Sequence, residues 1–375
     1  YGHKLAGLLW QKWSEDKIIK KCGFEKVDGW ECLYVHRKNQ LFLSVYVDDP
    51  KMAGKKDDLW PMWALLREHM ALDPPVKMVD NQYLGSTQRD MVPDPVNVEK
   101  MSAAFENFSI KPGEGAARVA HPELRKDGED FVSKKVGCKD EKASTPIDLS
   151  QYSKSQKTSS GNPKKVVNPL VRKDGTTRKH DNVRGYAYDM CGHVSGSVDR
   201  YLELSGKTRA SLKPVSTPCL DDHQLLPEDD IKRGVLKEAS AKIVLKCLYV
   251  ARMNRTDLLW AVNSLAREVT KWTVNCDKRL HRLICYMHFT VDMQMECWVG
   301  DDPIDCQLAL FADASFASWL GDSKSTSGAM LVLMGPNTYV PISWFCEKQT
   351  SVSNSSTESE LVSLDAALRI EGIPA

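Results

Sequence analysis

The stretch Leu41-Phe42-Leu43-Ser44-Val45-Tyr46-Val47-Asp48-Asp49 constrains this chain more than any other. Val, Tyr, Phe and Leu favour a stiff strand, and the run ends on two adjacent carboxylates. Trp30 to His36 reads as the preceding strand and Arg37 to Gln40 as a tight polar turn, so the spacing predicts a hairpin that holds both Asp at its end. Side by side, two carboxylates repel each other unless a cation lies against them. Mg²⁺ prefers oxygen ligands, commonly one or two carboxylates with substrate phosphates, which makes the pair a candidate phosphoryl-transfer site. The plain alternative is a solvated turn, because Asp favours turns.

With 375 residues the chain is long enough for two or three domains. Its net charge of +1 means that any nucleic-acid surface must arise from local clustering. No apolar run approaches a membrane span and no signal peptide is visible. The 11 Cys are scattered without a C-x-x-C pair, which argues against a zinc site or a disulfide framework and suits an intracellular protein. His281 and Cys285 stand four apart on an expected helix, a spacing that fits core packing better than metal binding.

Taken in order, Lys4 to Cys22 reads as a helix with Leu5, Leu8, Leu9, Trp13 and Ile19 at helical spacing. Asp58 is a candidate cap for a helix that stops before Asp73-Pro74-Pro75. Val98 to Phe108 is a further helix. From about Lys111 to Ser211 the periodicity dissolves. Ser153 to Arg184 holds nine Lys or Arg against two Asp, which reads as an exposed basic insertion, either simply solvated or a phosphate-contacting arm. Helices are expected again over Ala239 to Arg252, Leu258 to Val269 (capped by Thr256-Asp257) and Asn275 to Phe289.

A second acidic constellation lies near the end. Leu308 to Ala312 is a short strand running into Asp313. Strands over Ala329 to Met334 and Tyr339 to Phe345 follow, joined by a turn at Gly335-Pro336-Asn337. The run Ser355-Ser356-Thr357-Glu358-Ser359-Glu360 then opens a helix, any of its first three residues being a suitable cap. Glu358 and Glu360 point roughly 200° apart on an ideal helix, so one site can use only one of them. Asp365 reads as a surface residue.

Several of these stretches resemble the copia-type LTR retrotransposon Pol polyprotein. Tyr46-Val47-Asp48-Asp49 is similar to the Y-x-D-D box of reverse transcriptases, flanked by Tyr1-Gly2-His3-Lys4, Gly23-Phe24 and Ala53-Gly54. Tyr83-Leu84-Gly85 resembles the family's F-L-G strand and Thr217-Pro218 its T-P motif. Leu248 to Arg252 and Asp257 to Asn263 resemble Y-L-A-x-x-R-P-D-I-x-x-A-V-N, with Thr256 where the family has Pro. Arg279 and Arg282 resemble the basic face of its following helix. Asp313-Ala314-Ser315-Phe316-Ala317, Lys324 to Gly328, Ile342-Ser343-Trp344 and Ser355 to Glu360 resemble the start of its RNase H domain.

The resemblance implies an α+β chain: a partial reverse-transcriptase palm of hairpin plus helices over 1–110, a poorly ordered basic insertion over 111–215, a helical thumb and connection over 216–300, and a partial RNase H-like α/β domain over 301–375. It implies RNA-directed DNA polymerase and RNase H chemistry, with Mg²⁺ held by Asp48, Asp49, Asp313 and Glu360. Glu360 is chosen over Glu358 because the family's ligand precedes an apolar residue, here Leu361. The implied partners are an RNA template, a DNA primer, an RNA/DNA hybrid and the rest of the polyprotein, without a membrane, in a cytoplasmic particle or the nucleus. The start inside a motif reads as a fragment. The family's further catalytic carboxylates would lie upstream of Tyr1 and beyond Ala375, so the isolated chain is expected to be inactive. Pro50 departs from the family's regular strand and is expected to weaken the hairpin end. The alternative is a degenerate remnant that retains only nucleic-acid binding.

Overall fold

Alternation of large and small exposure along one strand sets the first layer. The computed structural model describes residues 3–108, 183–221, 224–318 and 322–375. The chain opens with α1 (Ala6–Glu15), continued by a π-helical turn over Asp16–Lys21. Strands β1 (Glu25–Lys26), β2 (Leu33–His36), β3 (Leu41–Tyr46) and β4 (Asp49–Gly54) form a four-stranded antiparallel sheet in that order, followed by α2 (Lys56–His69). Leu41, Leu43 and Val45 of β3 are buried while Phe42 and Tyr46 face out, the period of two that a half-covered sheet requires. The buried set packs with Ile18, Phe24, Tyr34, Met62 and Leu66 into one core.

Two details differ from expectation. The apolar stripe of the first helix is not in the core: Leu5, Leu8, Leu9, Trp13 and Ile19 are all exposed, and Ser14 and Ile18 are the buried positions. Asp58 does not cap α2, whose N-cap is Lys55 without a side-chain bond. Asp57 and Asp58 sit instead in its first turn, where the helix dipole favours acids.

Next come β5 (Gln82–Tyr83), β6 (Ser86–Met91), α3 (Pro95–Phe108), β7 (Arg184–Asp189) and α4 (Cys191–Ser205). Helices α5 (Ser240–Met253), α6 (Leu259–Arg267) and α7 (Val274–Phe289) lead to β8 (Met295–Val299), β9 (Gln307–Ser315), β10 (Thr326–Gly335), β11 (Thr338–Lys348) and α8 (Ser356–Ala367). Contacts divide the chain into Tyr1–Ser102 with His180–Ala375, and Ala103–Lys179. Both sheets belong to the first unit, and the described part of the second is the end of α3.

The second sheet has the order β5-β6-β7-β8-β11-β10-β9, every neighbouring pair antiparallel. The molecule is therefore mixed α+β, and the last region shows the expected order of three antiparallel strands, β9 to β11, followed by a helix. This sheet crosses the expected boundaries at 110, 215 and 300. The end of the expected linker is ordered: Arg184–Asp189 is an inner strand and Cys191–Ser205 a helix whose Val194, Val198 and Tyr201 are buried. Gly185 is needed there, since a Cβ would stand 2.7 Å from the Met91 carbonyl oxygen. The rest of the basic stretch, up to Asn182, and the Tyr1-Gly2 start lie outside the described residues.

Helices α4 to α7 enclose the larger core, with Ile243, Val244, Cys247, Leu258, Val262, Leu280 and Leu283 fully buried. A buried Leu or Ile side chain is worth roughly 1.5–3 kcal/mol each. Thr256-Asp257 does not cap α6. It forms a short 3₁₀ turn in which both Asp257 oxygens accept from the Arg255 guanidinium, at 2.9 and 2.8 Å. No helix among the described residues is long and apolar enough to cross a membrane.

Candidate carboxylate sites

The expected hairpin is present, with His36 opposite Leu41 across the 37–40 turn, and Tyr46 then pairs with Asp49 across a second, two-residue turn, Val47-Asp48. Asp48 caps the tip, Asp49 opens β4, and both are exposed. Pro50 does not end the strand. It pairs opposite Val45 on β4, an edge strand whose outer side has no ladder partner among the described residues to miss a Pro N–H. The Trp10 indole donates to the Val47 carbonyl oxygen at 2.8 Å, tying α1 to the tip.

Val47 has φ 54°, a left-handed conformation that a β-branched residue rarely takes, at the place where a two-residue hairpin turn most readily accepts Gly. Such strain costs of order 1–3 kcal/mol. Val47→Gly is expected to raise stability by about 1 kcal/mol after the entropy cost of glycine, read from the urea midpoint. An unchanged midpoint would mean the tip is relaxed.

Beneath the hairpin, the Lys51 ammonium lies 5.1 Å from the Tyr83 ring and 5.9 Å from the Tyr188 ring. Burial pushes its pKa below the usual lysine range, and the aromatic faces offset part of that cost. Tyr83 ends β5 and pairs with Ser86, so Leu84-Gly85 is a two-residue hairpin turn rather than strand, with φ 50° at Leu84 and 73° at Gly85. The Tyr249 hydroxyl of α5 donates to the Leu84 carbonyl. A Cβ on Gly85 would come within 2.7 Å of His193 Nε2. None of these contacts carries a signal in one sequence, because each joins residues far apart in the chain.

The second constellation is organised by Gln349, which is 5 % exposed. Its amide donates to Ser327 Oγ at 3.0 Å and to the Ser359 carbonyl at 2.9 Å, and its oxygen accepts from Ser353 Oγ at 3.0 Å. One buried side chain thus joins β10, β11 and α8. Ser355 caps α8, accepting from Glu358 N, and Glu358 Oε2 accepts from Asn354 N at 2.6 Å. Glu358 is therefore occupied as a capping residue. Asp365 pairs with Arg369 on the surface.

Leu310, Leu331 and Ser343 stand opposite one another across β9, β10 and β11, and Ser343 Oγ donates to Glu371 just beyond α8. That face is the one α8 covers. Register along β9 is unbroken, so Asp313, three residues on, projects from the other face. Asp313 and Glu360 are both exposed, Asp313 on β9 and Glu360 on α8. Asp48 and Asp49 are adjacent; α8, which carries Glu360, is the helix whose Ser363 hydroxyl donates to the Asp313 carbonyl at 2.6 Å. Among the described residues no group of three or more His, Cys, Asp or Glu side chains is placed to hold a metal ion. Arg282 donates to the Thr217 carbonyl and hydroxyl at 2.9 and 3.0 Å, fastening the segment before α5 rather than facing solvent alone.

Against known proteins, the chain is 31% identical over 173 residues to the retrovirus-related Pol polyprotein from transposon RE2 of Arabidopsis thaliana, covering 44% of this chain and 11% of that protein. It is 34% identical over 55 residues to the transposon Ty1-BL Gag-Pol polyprotein of Saccharomyces cerevisiae, 15% of this chain and 3% of that one. The truncated Ty1-A Gag-Pol polyprotein of the same yeast matches at 34% over 55 residues, 15% of this chain and 4% of its own length. The chain thus spans a small part of each relative. No family model and no solved structure matches it.

Proposed function

Since the chain is a relative of the copia-type retrotransposon Pol polyproteins, we propose that it carries part of an RNA-directed DNA polymerase together with the start of a ribonuclease H. The observation that carries this reading is the β3–β4 hairpin, which presents Asp48 and Asp49 to solvent on a strained turn held by Trp10. Strain kept at an exposed acidic tip is characteristic of sites that act on something. Exposed adjacent carboxylates are hard oxygen donors of the number Mg²⁺ usually takes from protein, so Asp48 and Asp49 fit that ion. When bound, it would neutralise phosphate charge and favour phosphoryl transfer. Asp313 and Glu360 would serve the ribonuclease half. The substrates are then an RNA template with a DNA primer, and an RNA/DNA hybrid, with the rest of a polyprotein as partner.

Two carboxylates on one tip make a sparse donor set, so the 375-residue chain alone should bind Mg²⁺ weakly and extend a primer at background rate. Mn²⁺ as a paramagnetic stand-in tests the site directly. Amide NMR signals of Val47 to Asp49 should broaden first during a titration, and Asp48→Asn with Asp49→Asn should abolish that broadening. Broadening centred elsewhere, with none at the tip, would sink the polymerase assignment.

A further inference from the structure

The pair His281 and Cys285 is unused by the carboxylate chemistry. On α7 the His281 ring lies between two partners: Nδ1 is 2.8 Å from the Tyr201 hydroxyl, and Nε2 is 3.7 Å from Cys285 Sγ. A thiol, an imidazole within hydrogen-bond reach and a third group that orients the imidazole is the arrangement that activates a nucleophile.

His281 and Cys285 also line a cleft of about 550 Å³, walled by apolar residues such as Val215 and Val235 and edged by Lys207, Lys213, Lys278 and Arg282. Lys278 is paired with Asp229 and Arg282 is bonded to Thr217. Lys207 and Lys213 remain as exposed cations at the mouth. A mostly apolar cleft with a few placed charges suits a small ligand with an anionic end.

We propose that Cys285 is a thiol-exchange site that takes small anionic disulfides through this cleft. His281 accepts the Cys285 proton at Nε2. The thiolate attacks one sulfur of the disulfide, a Cys285–sulfur bond forms, and the original S–S bond breaks. The departing thiolate takes the proton back from His281 and leaves as a thiol. Cys285 is oxidised to a mixed disulfide while the incoming disulfide is reduced, so electrons balance. Burial, and next the Lys207 ammonium, hold the His281 pKa below the usual histidine range, so the ring starts neutral and the imidazolium formed from it readily returns the proton to the departing thiolate.

Oxidised glutathione supplied to the full chain, with each cysteine followed by peptide mass spectrometry, tests this. Cys285 is 3% exposed but lines the cleft, and it should be modified at least roughly tenfold faster than Cys247 and Cys297, which are 0% exposed and do not line it. His281→Gln should slow Cys285 about tenfold while the partly exposed Cys32 and Cys306 react as before, which also reports that the chain is folded. Lys207→Gln with Lys213→Gln should slow reaction with oxidised glutathione but not with neutral hydroxyethyl disulfide. Equal rates at Cys285 and Cys247 overturn the proposal. So does a folded His281→Gln chain whose Cys285 rate is unchanged, or a lysine double variant that leaves the glutathione rate intact.

Discussion

Asp257→Ala is expected to destabilise the chain by about 3 kcal/mol, the range for breaking a buried ion pair by removing one partner. Arg255 is 2 % exposed. Its guanidinium donates twice to Asp257, to the Thr290 carbonyl at 2.8 Å and to Thr290 Oγ1 at 2.8 Å, and lies 5.9 Å from the Tyr286 ring. This fork joins the turn before α6 to the end of α7. Without Asp257 the positive charge stays buried with half its donors unmatched. Asp257 is itself 29% exposed on its side chain, so water recovers part of the loss, and the lower end of the range applies. The control is Arg255→Met combined with Asp257→Ala, which removes the orphaned charge and should regain half or more of the stability. Urea unfolding of the two variants checks both statements. A double variant no better than the single would show that the cost lies in packing, not in charge.

Gln349→Leu should cost about 2–3 kcal/mol, although Leu nearly conserves volume. Three hydrogen bonds vanish at once, and Ser327 Oγ, Ser353 Oγ and the Ser359 carbonyl are left inside the protein with poorer partners. Ser325, Ser327, Ser353 and Ser359 are all buried, so water cannot readily replace the amide. The loss should be local as well as global. Hydrogen exchange in α8 should accelerate before that in β10 and β11, because the helix rests on the sheet through this network and through Ser363, whose hydroxyl donates to the Asp313 carbonyl at 2.6 Å. Exchange that rises equally in all three elements would mean that Gln349 stabilises the sheet as a whole and does not seat the helix.

Where one stretch of sequence decided its own structure, it could be read. Leu41 to Tyr46 alternates because one face is covered; Ser355 caps α8 because its hydroxyl reaches Glu358 N; α5 to α7 follow their apolar spacing. Where a distant partner decides, the reading failed. Arg184–Asp189 is a strand because β6 and β8 flank it, and its tyrosines were masked by the basic, low-complexity residues before it. Asp257 looked like a cap because the buried Arg255 beside it could not be foreseen. Leu84-Gly85 became a turn because α4 and α5 press on it through His193 and Tyr249. The candidate acids were legible as residues, but the face each occupies was not: placing Asp313 on the side away from α8 needed the register of three strands.

Strands β6 and β7 are neighbours in the second sheet, Met91 opposite Gly185 and Thr87 opposite Asp189. The chain therefore leaves the sheet and returns to it at the same rim, however much lies between. Closing a longer excursion costs only a logarithm of its length. A change of length in that interval should therefore cost little while the strands on either side keep their pairing.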